Sequence, residues 1–433
     1  MTSSIAGIDV HKRVVMVVLT SGAQAEGQFS QRCRFGATMA ELRRLAAWLE
    51  ERGVEEAVME STAQYWKPVW LALEGRFRLH LAQAWSNRAA RGKKTDFKDA
   101  ERLGRRYLAG ELTMSFVPDP GQRQMRTLTR RRTQLVRDRV RIQNQVESLL
   151  EETRIKLCCV VADLFGASGL RILAALAEGQ TDPARLAALA DARVQHSREE
   201  LAEALAGTMG DVHRLLLKQH LLHLELITAQ MEELSQAVGR LMQPHSQAIV
   251  RLAGIPGIRT LSAQQIVAEA GPQAHAFDSA AQFSAWIGVA PGREESAGEN
   301  HSSRSTRGNP YLRCMLCQAA QAAVRTKNSI FEQKFRRLMP RLGYAKAVWA
   351  IARHLSVVIW NVLHQGAQYV EYGRVTTAQA AQRRLQRLKK ELRALGYSDE
   401  LKPLLTSANP AMTFNGAATL RSIRKATPTQ ELP

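Results

Sequence analysis

Cysteine is scarce in this chain, and the few cysteines present do not form the pattern of a disulfide framework. Five occur among 433 residues, at positions 33, 158, 159, 314 and 317, which fits a reducing compartment. Cys314 and Cys317 have the spacing of half a zinc site, but no second cysteine or histidine pair accompanies them. Their segment, YLRCMLCQAAQAAV, repeats at helical spacing. Packing on a helix face is therefore the favoured interpretation, and structural zinc is the alternative.

A long apolar run free of charged residues is also missing. The most apolar late stretch, residues 345–363, is interrupted by Arg353 and His354, which is typical of a buried helix rather than a membrane span. The N-terminal apolar run contains Asp9 and has no charged leader, so we expect no signal peptide. We therefore expect a cytoplasmic protein with no membrane partner.

Acidic residues are in short supply relative to basic ones. The 60 lysines and arginines exceed the 40 aspartates and glutamates, which gives a net charge of +20. Such an excess indicates a polyanionic partner, and nucleic acid is the usual one. A membrane surface would need an amphipathic basic helix or a spanning segment. The length and the 45% hydrophobic content predict two or three globular domains.

The first part of the chain alternates strand-like and helix-like segments. Short apolar runs rich in β-branched residues predict strands at residues 4–9 and 14–19. Two further strands are predicted at residues 57–60 and 77–84. Apolar residues at helical spacing predict helices at 39–52, 65–73 and 96–109. Strands and helices in this order indicate an α/β layer domain, which we place at residues 1–115.

Long helices are predicted from about Gln122 onward. Residues 122–156 hold ten basic against four acidic residues, and we predict that Arg130, Arg131 and Arg132 contact nucleic acid. Residues 198–242 carry apolar side chains near heptad spacing: Leu215, Leu222, Leu226, Met231, Leu234 and Leu241. An antiparallel hairpin within the chain, or a coiled coil between subunits, would bury both apolar stripes. We therefore predict a helical connector at residues 116–244.

A third unit, predicted at residues 245–372, begins with the pattern of a helix-hairpin-helix. Gly254-Ile-Pro-Gly257 separates two apolar segments of helical character. Its glycines allow a tight turn whose backbone N–H groups can contact a DNA phosphate. An ordinary turn between two helices is the alternative. Residues 373–433 form a basic tail without a catalytic pattern.

Four acidic residues stand where metal-dependent phosphoryl chemistry would need them. Asp9 and Glu60 each end a predicted strand, and Asp96 and Asp99 share one face at the start of a predicted helix. Hard oxygen ligands suit Mg²⁺ or Mn²⁺. Two such ions about 4 Å apart would stabilise the attacking and leaving oxygens of a phosphodiester displacement. Two preceding lysines, Lys93 and Lys94, are suited to bind phosphates.

Each acid also has a structural interpretation. An aspartate after a buried strand is often only a turn residue, and Asp96 and Asp99 could merely complement a helix N-terminus. A strand ending in Gly7-Ile-Asp9 also opens actin-like ATPase domains, which continue with a glycine-containing phosphate turn. Here Val10-His11-Lys12 follows, which disfavours ATP binding. The four acids together favour the metal site.

A serine-rich loop follows the hairpin-helix segment. It contains Ser296 and is bordered by Arg304, Arg307 and Arg313. Such a loop could present a hydroxyl group to a phosphate held by guanidinium groups. On physical grounds alone the signal is weak, because most serine-rich loops are only loops.

In their order along the chain, these residues resemble the DEDD transposases of bacterial insertion sequences, which are bridge-RNA-guided recombinases. The resemblance covers about residues 1–115 and 245–370. Its matching positions are Asp9, Glu60, Asp96-x-x-Asp99, Gly254-Ile-Pro-Gly257, Gly288-x-x-Pro291, Ser296 and Arg307-Gly-Asn309-x-x-Leu-Arg313.

The resemblance implies a RuvC-like (RNase H type) α/β domain, a coiled-coil connector and a mainly α C-terminal transposase domain. It implies that the four acids hold the metals and that Ser296 attacks a DNA phosphate to form a covalent phosphoserine link, so religation needs no ATP. It further implies a homo-oligomer, dimer or tetramer, with a composite site. An element-encoded bridge RNA would pair with donor and target DNA, and the protein would associate with the bacterial nucleoid.

The sequence departs from the family pattern after the serine. Ala297 stands where the family commonly has glycine, and Ser302, Ser303 and Ser305 lie close by as alternative nucleophiles.

Two other functional classes remain as alternatives. One is a junction-resolvase-like, metal-dependent endonuclease in which water attacks, and the other is a non-catalytic regulator that binds RNA or DNA.

Overall fold

A computed structural model describes residues 4–21, 31–61, 63–87, 95–292, 294–296, 299–302, 304–305, 307–371 and 386. The chain divides into two compact units, Met1–Ala319 with Ala352–Tyr369, and Ala320–Ile351 with Val370–Pro433. Lys93, Lys94 and nearly all of the predicted basic tail lie outside the described residues. The expectation of a mixed α/β chain with an N-terminal sheet and a helical C-terminal part is confirmed.

The N-terminal sheet has five strands in the order β3-β2-β1-β4-β5. Strands β1 (Ser4–Val10), β2 (Val14–Ser21) and β3 (Arg32–Gly36) pair antiparallel. Strands β4 (Glu56–Glu60) and β5 (Arg78–Ala82) add in parallel to β1. The carboxyl ends of β1 and β4 therefore meet at the same edge of the sheet.

Helices cover both faces of this sheet. Helices α1 (Met39–Glu50) and α2 (Trp66–Leu73) bury one face, where alternate residues of β1 and β4 point into a large apolar core. Helix α3 (Asp96–Leu108) covers the other face through a smaller cluster of Ile5, Val58, Ala82 and Leu103. Because side chains alternate along a strand, Asp9 and Glu60 belong to the face that α3 covers.

Gly7 sets the close approach of α3 to β1. A Cβ atom on Gly7 would lie 2.1 Å from the backbone oxygen of Ala100 and 2.9 Å from the backbone nitrogen of Gly104. At the far end of α3, the Tyr107 hydroxyl donates a 2.8 Å hydrogen bond to Glu56 Oε2 on β4. Burial and this hydrogen bond raise the Tyr107 pKa to about 12. The start of α3 is thereby held beside the end of β1.

Strand β3 was not predicted from the sequence. Its segment RCRFG lies at the edge of the sheet, where Phe35 is buried, Cys33 and Gly36 are partly buried, and both arginines are exposed. An edge strand with basic residues on its exposed side gives little apolar signal.

Two long helices form an antiparallel hairpin after the sheet domain. Helix α4 (Pro120–Glu152) starts at the N-cap Asp119, whose Oδ1 accepts from the Gln122 amide at 2.9 Å. Helix α9 (Asp211–Met242) packs along it. Leu135 and Ile142 of α4 contact Leu224 and Ile227 of α9 in the seam.

The apolar stripe predicted on α9 is only partly the one that faces α4. The buried residues are Leu217, Leu224, Ile227, Val238 and Met242, with Met231 and Leu234 partly buried. Leu215, Leu222 and Leu226 are instead more than half exposed. The run LLLKQHLLHLELI is apolar on two faces, so heptad counting alone could not select the inner face.

Short helices close one end of this hairpin, namely α5 (Leu157–Val160), α6 (Ala167–Ala177), α7 (Pro183–Ala188) and α8 (Arg198–Ala204). The helical pattern of residues 198–242 is interrupted once, because residues 205–210 separate α8 from α9. Gly207 lies in that break, where a Cβ would come 2.3 Å from the Thr153 backbone oxygen. The interruption therefore packs closely against the end of α4.

The last described part is helical apart from one small hairpin. Helices α10 (Ser246–Ala253), α11 (Thr260–Ala270) and α12 (Ala280–Ile287) precede strands β6 (Glu294–Ser296) and β7 (Glu299–Ser302). Helices α13 (Pro310–Val324), α14 (Ile330–Leu342) and α15 (Tyr344–His364) follow. Within the described ranges, α15 alone has the length and apolar composition of a membrane span. Half of its most apolar stretch is buried inside the protein.

Candidate metal site and serine segment

Asp9 and Glu60 leave neighbouring strands side by side. The last registered pair of β1 and β4 joins Ile8 to Met59, so Asp9 and Glu60 occupy the next position on each strand. Both are partly buried. The side-chain amide of Asn87 donates a 2.8 Å hydrogen bond to Glu60 Oε2, and this bond orients the Glu60 carboxylate.

Asp96 and Asp99 reach the same sheet edge from the first turn of α3. The Asp99 side chain is 9% exposed, and Arg102 Nη1 lies 2.8 Å from its Oδ1. The Asp96 side chain is 46% exposed. Helix α3 thus offers one sheltered carboxylate and one open to solvent.

His11 joins these acids, although the sequence interpretation did not include it in the site. Its Nε2 lies 3.1 Å from Asp9 Oδ2 and 3.6 Å from Asp96 Oδ1. Candidate ligand atoms of Asp9, His11 and Asp96 all lie within 4.8 Å of one another. The one feature of the sequence that could have indicated His11 as a site residue is its position two residues after Asp9, in the turn that follows β1.

Electrostatic repulsion within the cluster favours a bound cation. Burial raises the pKa of the Asp9 carboxyl above its ordinary value, the negative charges of Asp99 and Asp96 raise it further, and His11 opposes the shift. Carboxylates that repel one another and are partly withdrawn from water gain most from a divalent ion. Asp9 and Asp96 supply hard oxygen ligands, so the residues present fit such an ion.

The serine segment forms a small β-hairpin between α12 and α13. Glu294–Ser296 pairs antiparallel with Glu299–Ser302, and Ser296 lies opposite Glu299. For Ser296 the structure describes the backbone but not the side chain. Arg304 and Arg307 are exposed at the end of the hairpin. Arg313 Nη1 and Nη2 donate 3.1 Å hydrogen bonds to Arg307 O and Ser305 Oγ, so Arg313 holds the returning loop.

The three predicted phosphate-binding arginines of α4 occupy different environments. Arg132 is 6% exposed and donates to Gln264 Oε1 and Leu261 O at 3.1 Å each. Arg130 forms paired 2.7 Å hydrogen bonds with the buried Glu269. Both guanidinium groups bind α11, although the Arg130 side chain is still 39% exposed. Contact of these two residues with nucleic acid stays a prediction. Arg131 is exposed and remains a candidate for contact with nucleic acid.

The glycine pair predicted as a hairpin-helix turn joins α10 to α11. Gly257 has a φ of +84°, a left-handed conformation that favours glycine. Gly254 is the C-cap of α10 in right-handed geometry. The two helices and the tight turn are as expected, and DNA contact at this turn stays a prediction.

These features define a class of protein with a cluster of acidic residues at a sheet edge and a serine hairpin in its helical part. Comparison with known families agrees with that class. A model of the DEDD transposases of the IS110 type matches residues 6–155. A second model, for the transposase IS116/IS110/IS902 family, matches residues 250–336. Together they cover more than half of the chain.

Three bacterial relatives carry matching names. A protein of Pseudomonas aeruginosa named as a probable family 20 transposase is 28% identical over 314 residues, which is 71% of this chain and 83% of the relative. A Coxiella burnetii transposase for insertion sequence element IS1111A is 32% identical over 124 residues, 28% of this chain and 34% of the relative. A relative from Sinorhizobium fredii, also called a transposase, is 27% identical over 286 residues, 64% of each chain.

The chain belongs to the IS110 family of DEDD transposases. It is therefore an enzyme that recombines DNA, and its family uses divalent metal ions.

Proposed function

We propose that the chain is an RNA-guided recombinase of an insertion sequence that joins DNA through a covalent phosphoserine intermediate. The observation that carries the metal half of this proposal is the convergence of Asp9, His11 and Asp96 at one sheet edge, within 4.8 Å. Glu60 on the neighbouring strand and Asp99 one helical turn from Asp96 complete the acidic set. A bound Mg²⁺ or Mn²⁺ would supply charge stabilisation to the phosphodiester oxygens.

A RuvC-like fold for the N-terminal domain is part of this proposal. Its support is the mixed sheet, with three antiparallel strands followed by two parallel ones, and the acids at the adjoining ends of β1 and β4. The proposed domains are residues 1–115, the connector at 116–244, the transposase domain at 245–372 and the tail at 373–433.

The serine step conserves the number of phosphoester bonds. The Ser296 Oγ attacks phosphorus, its proton leaves to a base, and one P–O bond to the DNA breaks as the Ser–O–P bond forms. The released DNA oxygen takes up a proton. The reverse attack by a DNA hydroxyl on the phosphoserine restores the backbone, so joining needs no external energy source. Arg304 and Arg307, exposed beside the hairpin, are suited to hold the phosphate.

Assembly of several subunits is also proposed. Its support is the second apolar face of α9, where Leu215, Leu222 and Leu226 are 58%, 58% and 55% exposed. Val136 and Val140 of α4 are also exposed. Exposed apolar stripes of this kind favour a coiled-coil contact with a second copy. A bridge RNA would account for part of the net charge of +20.

The experiment that tests the reaction type is a nicking assay on labelled double-stranded DNA spanning the ends of the encoding element. Purified protein with co-expressed RNA is supplied with Mg²⁺ or Mn²⁺, beside Ser296→Ala and Asp9→Asn. The proposal predicts that both variants lose strand cleavage while retaining DNA affinity. Nicks that persist in Ser296→Ala would establish hydrolysis by water instead.

RNA guidance needs its own test. Cleavage is measured with protein freed of RNA by nuclease treatment and then resupplied with the co-expressed RNA. The proposal predicts loss of site-specific cleavage and its recovery with RNA. Equal site-specific cleavage without RNA would refute guidance and leave the serine chemistry unaffected.

A further inference from the structure

Glu269 is a fully buried carboxylate with no role in the proposed chemistry so far. It lies in α11 with 0% of its surface exposed. Arg130 of α4 binds it through paired 2.7 Å hydrogen bonds, and Arg126 Nε lies 3.5 Å from its Oε2. Burial of an ionised carboxylate is costly, and apolar side chains would join two helices without that cost. The charge therefore calls for a further explanation.

The third partner of Glu269 is Asn309. Its Nδ2 donates a 2.9 Å hydrogen bond to Glu269 Oε2. Its Oδ1 accepts from the backbone amides of Tyr311 and Leu312 at 3.0 and 3.1 Å, which is the geometry of an N-cap for α13. One amide group thus caps α13 and binds the buried carboxylate.

Asn309 also ends the loop that carries Ser296. Its backbone N–H donates to Trp286 O at 3.0 Å, and Gly292 N donates to Arg304 O at 3.2 Å. Gly308, with a φ of +55°, lies so close to α12 that a Cβ would come 2.2 Å from Ile287 O. The hairpin therefore leaves and returns at one narrow base, and Asn309 sets its returning side.

We propose that Glu269 is a positioning residue for the serine step. Through Asn309 it fixes the start of α13 and the base of the Ser296 hairpin, and through Arg130 it ties that base to α4. The Arg130 guanidinium also lies 4.7 Å from the Tyr311 ring centre, a second link between α4 and α13. The inference rests on the proposed serine chemistry. Glu269 acts through Asn309 and not on the phosphate.

The most informative variant is Asn309→Ser in the full chain. Serine is also a good N-cap, so α13 keeps its capping acceptor, but the donor to Glu269 is removed. We expect the single-turnover rate of covalent protein–DNA formation to fall about 10- to 100-fold, the effect of one hydrogen bond to a charged group. DNA affinity should stay within about threefold. The probe is labelled DNA spanning the element ends, with Mg²⁺ and co-expressed RNA.

Gln122→Met is the matched control for a purely structural effect. Gln122 is buried in α4 and donates a 3.1 Å hydrogen bond to Ala268 O of α11, without reaching Asn309. This variant should lose thermal stability comparable to that of Asn309→Ser and keep the rate of adduct formation within about twofold. A rate loss in Asn309→Ser no larger than in Gln122→Met would overturn the proposal.

A second test moves the carboxylate from position 269 to position 309, and it compares two variants so that the result does not depend on the stability of one. Asn309→Asp places two carboxylates together and should slow the reaction at least as much as Asn309→Ser. Combining it with Glu269→Gln restores a hydrogen bond with donor and acceptor exchanged, and should recover about tenfold. Absence of any recovery would contradict the proposed link.

Backbone exchange separates this inference from the serine proposal. Asn309→Ser should speed backbone amide hydrogen exchange at Gly292 and at position 309, the two donors at the hairpin base, and leave exchange in β1 and β4 unchanged. Unchanged exchange at the hairpin base would overturn the inference even if Ser296→Ala abolishes the adduct. An adduct that persists in Ser296→Ala would refute the serine chemistry itself, and the inference with it.

Discussion

Replacement of Gly7 by alanine should damage the metal site from a distance. The added methyl would lie 2.1 Å from the Ala100 backbone oxygen, whereas ordinary contact begins at 3.4 Å. Helix α3 would therefore have to retreat by about 1.3 Å from β1. The retreat carries Asp96 and Asp99 away from Asp9, which stays on the strand.

Three effects are expected, on stability, on catalytic rate and on metal affinity. Overpacking of this kind costs about 1–3 kcal/mol of unfolding free energy. A displacement of about 1 Å between reacting groups lowers a catalytic rate by about 100-fold. Mn²⁺ affinity, measured by calorimetry, should fall about 10- to 100-fold, as when supporting residues of a metal site are changed.

Gly239→Ala is the matched control. Gly239 lies on the exposed side of α9, and a Cβ there meets nothing within 4 Å. This variant should gain about 0.5–1 kcal/mol from helix propensity and leave Mn²⁺ binding unchanged. Wild-type melting temperature and wild-type Mn²⁺ affinity in Gly7→Ala would refute the argument that this glycine sets the spacing of the acids.

Three further outcomes are expected. Asp99→Asn should abolish strand cleavage in a gel assay with nucleic-acid affinity retained, and a parallel loss of binding would mean that Asp99 is structural. Arg131→Ala should lower the slope of log affinity against log salt by about 0.9 for each phosphate that the side chain no longer neutralises, and an unchanged slope would remove this arginine from the interface. Glu74→Gln should lose about 1.5 kcal/mol of stability at neutral pH, because Arg123 donates to both carboxylate oxygens. Hydrogen bonds from Arg123 hold the Glu74 pKa below its ordinary value of 4.5. The contribution of ionised Glu74 to the free energy of unfolding is therefore fully present above pH 4.5 and is lost as pH falls through the lowered pKa. Urea unfolding of wild type and variant between pH 7 and pH 3 checks this, and an equal acid sensitivity in both would contradict it.

The sheet domain could be predicted from the sequence because its signals are local. Strands β1 and β2 contain runs of β-branched residues, and β4 has a short apolar centre. An acid that ends a buried strand stands out at Asp9 and Glu60. Parallel pairing then places strand ends together without any knowledge of distant contacts. His11 was missed because a histidine in a turn carries no periodic signal, and its role depends on the approach of α3.

The helical part was less predictable because several helices have more than one apolar or basic face. On α9, Leu215 and Leu217 are equally apolar, and only the position of α4 selects which is buried. On α4, Arg130, Arg131 and Arg132 are identical in type, yet a buried Glu269 139 residues away engages one of them. Such long-range pairings have no local signature in a single sequence.

The measurement that tests the account most directly is covalent trapping followed by peptide mapping. Wild-type protein, Ser296→Ala and Asp99→Asn are incubated with Mg²⁺, co-expressed RNA and labelled DNA of the element ends, denatured and resolved on a gel. The account predicts a slow protein–DNA band in the wild type alone, with the nucleotide on the peptide that contains Ser296. Efficient cleavage without such a band, or a nucleotide mapped to Ser302, Ser303 or Ser305, would contradict the assignment of the nucleophile.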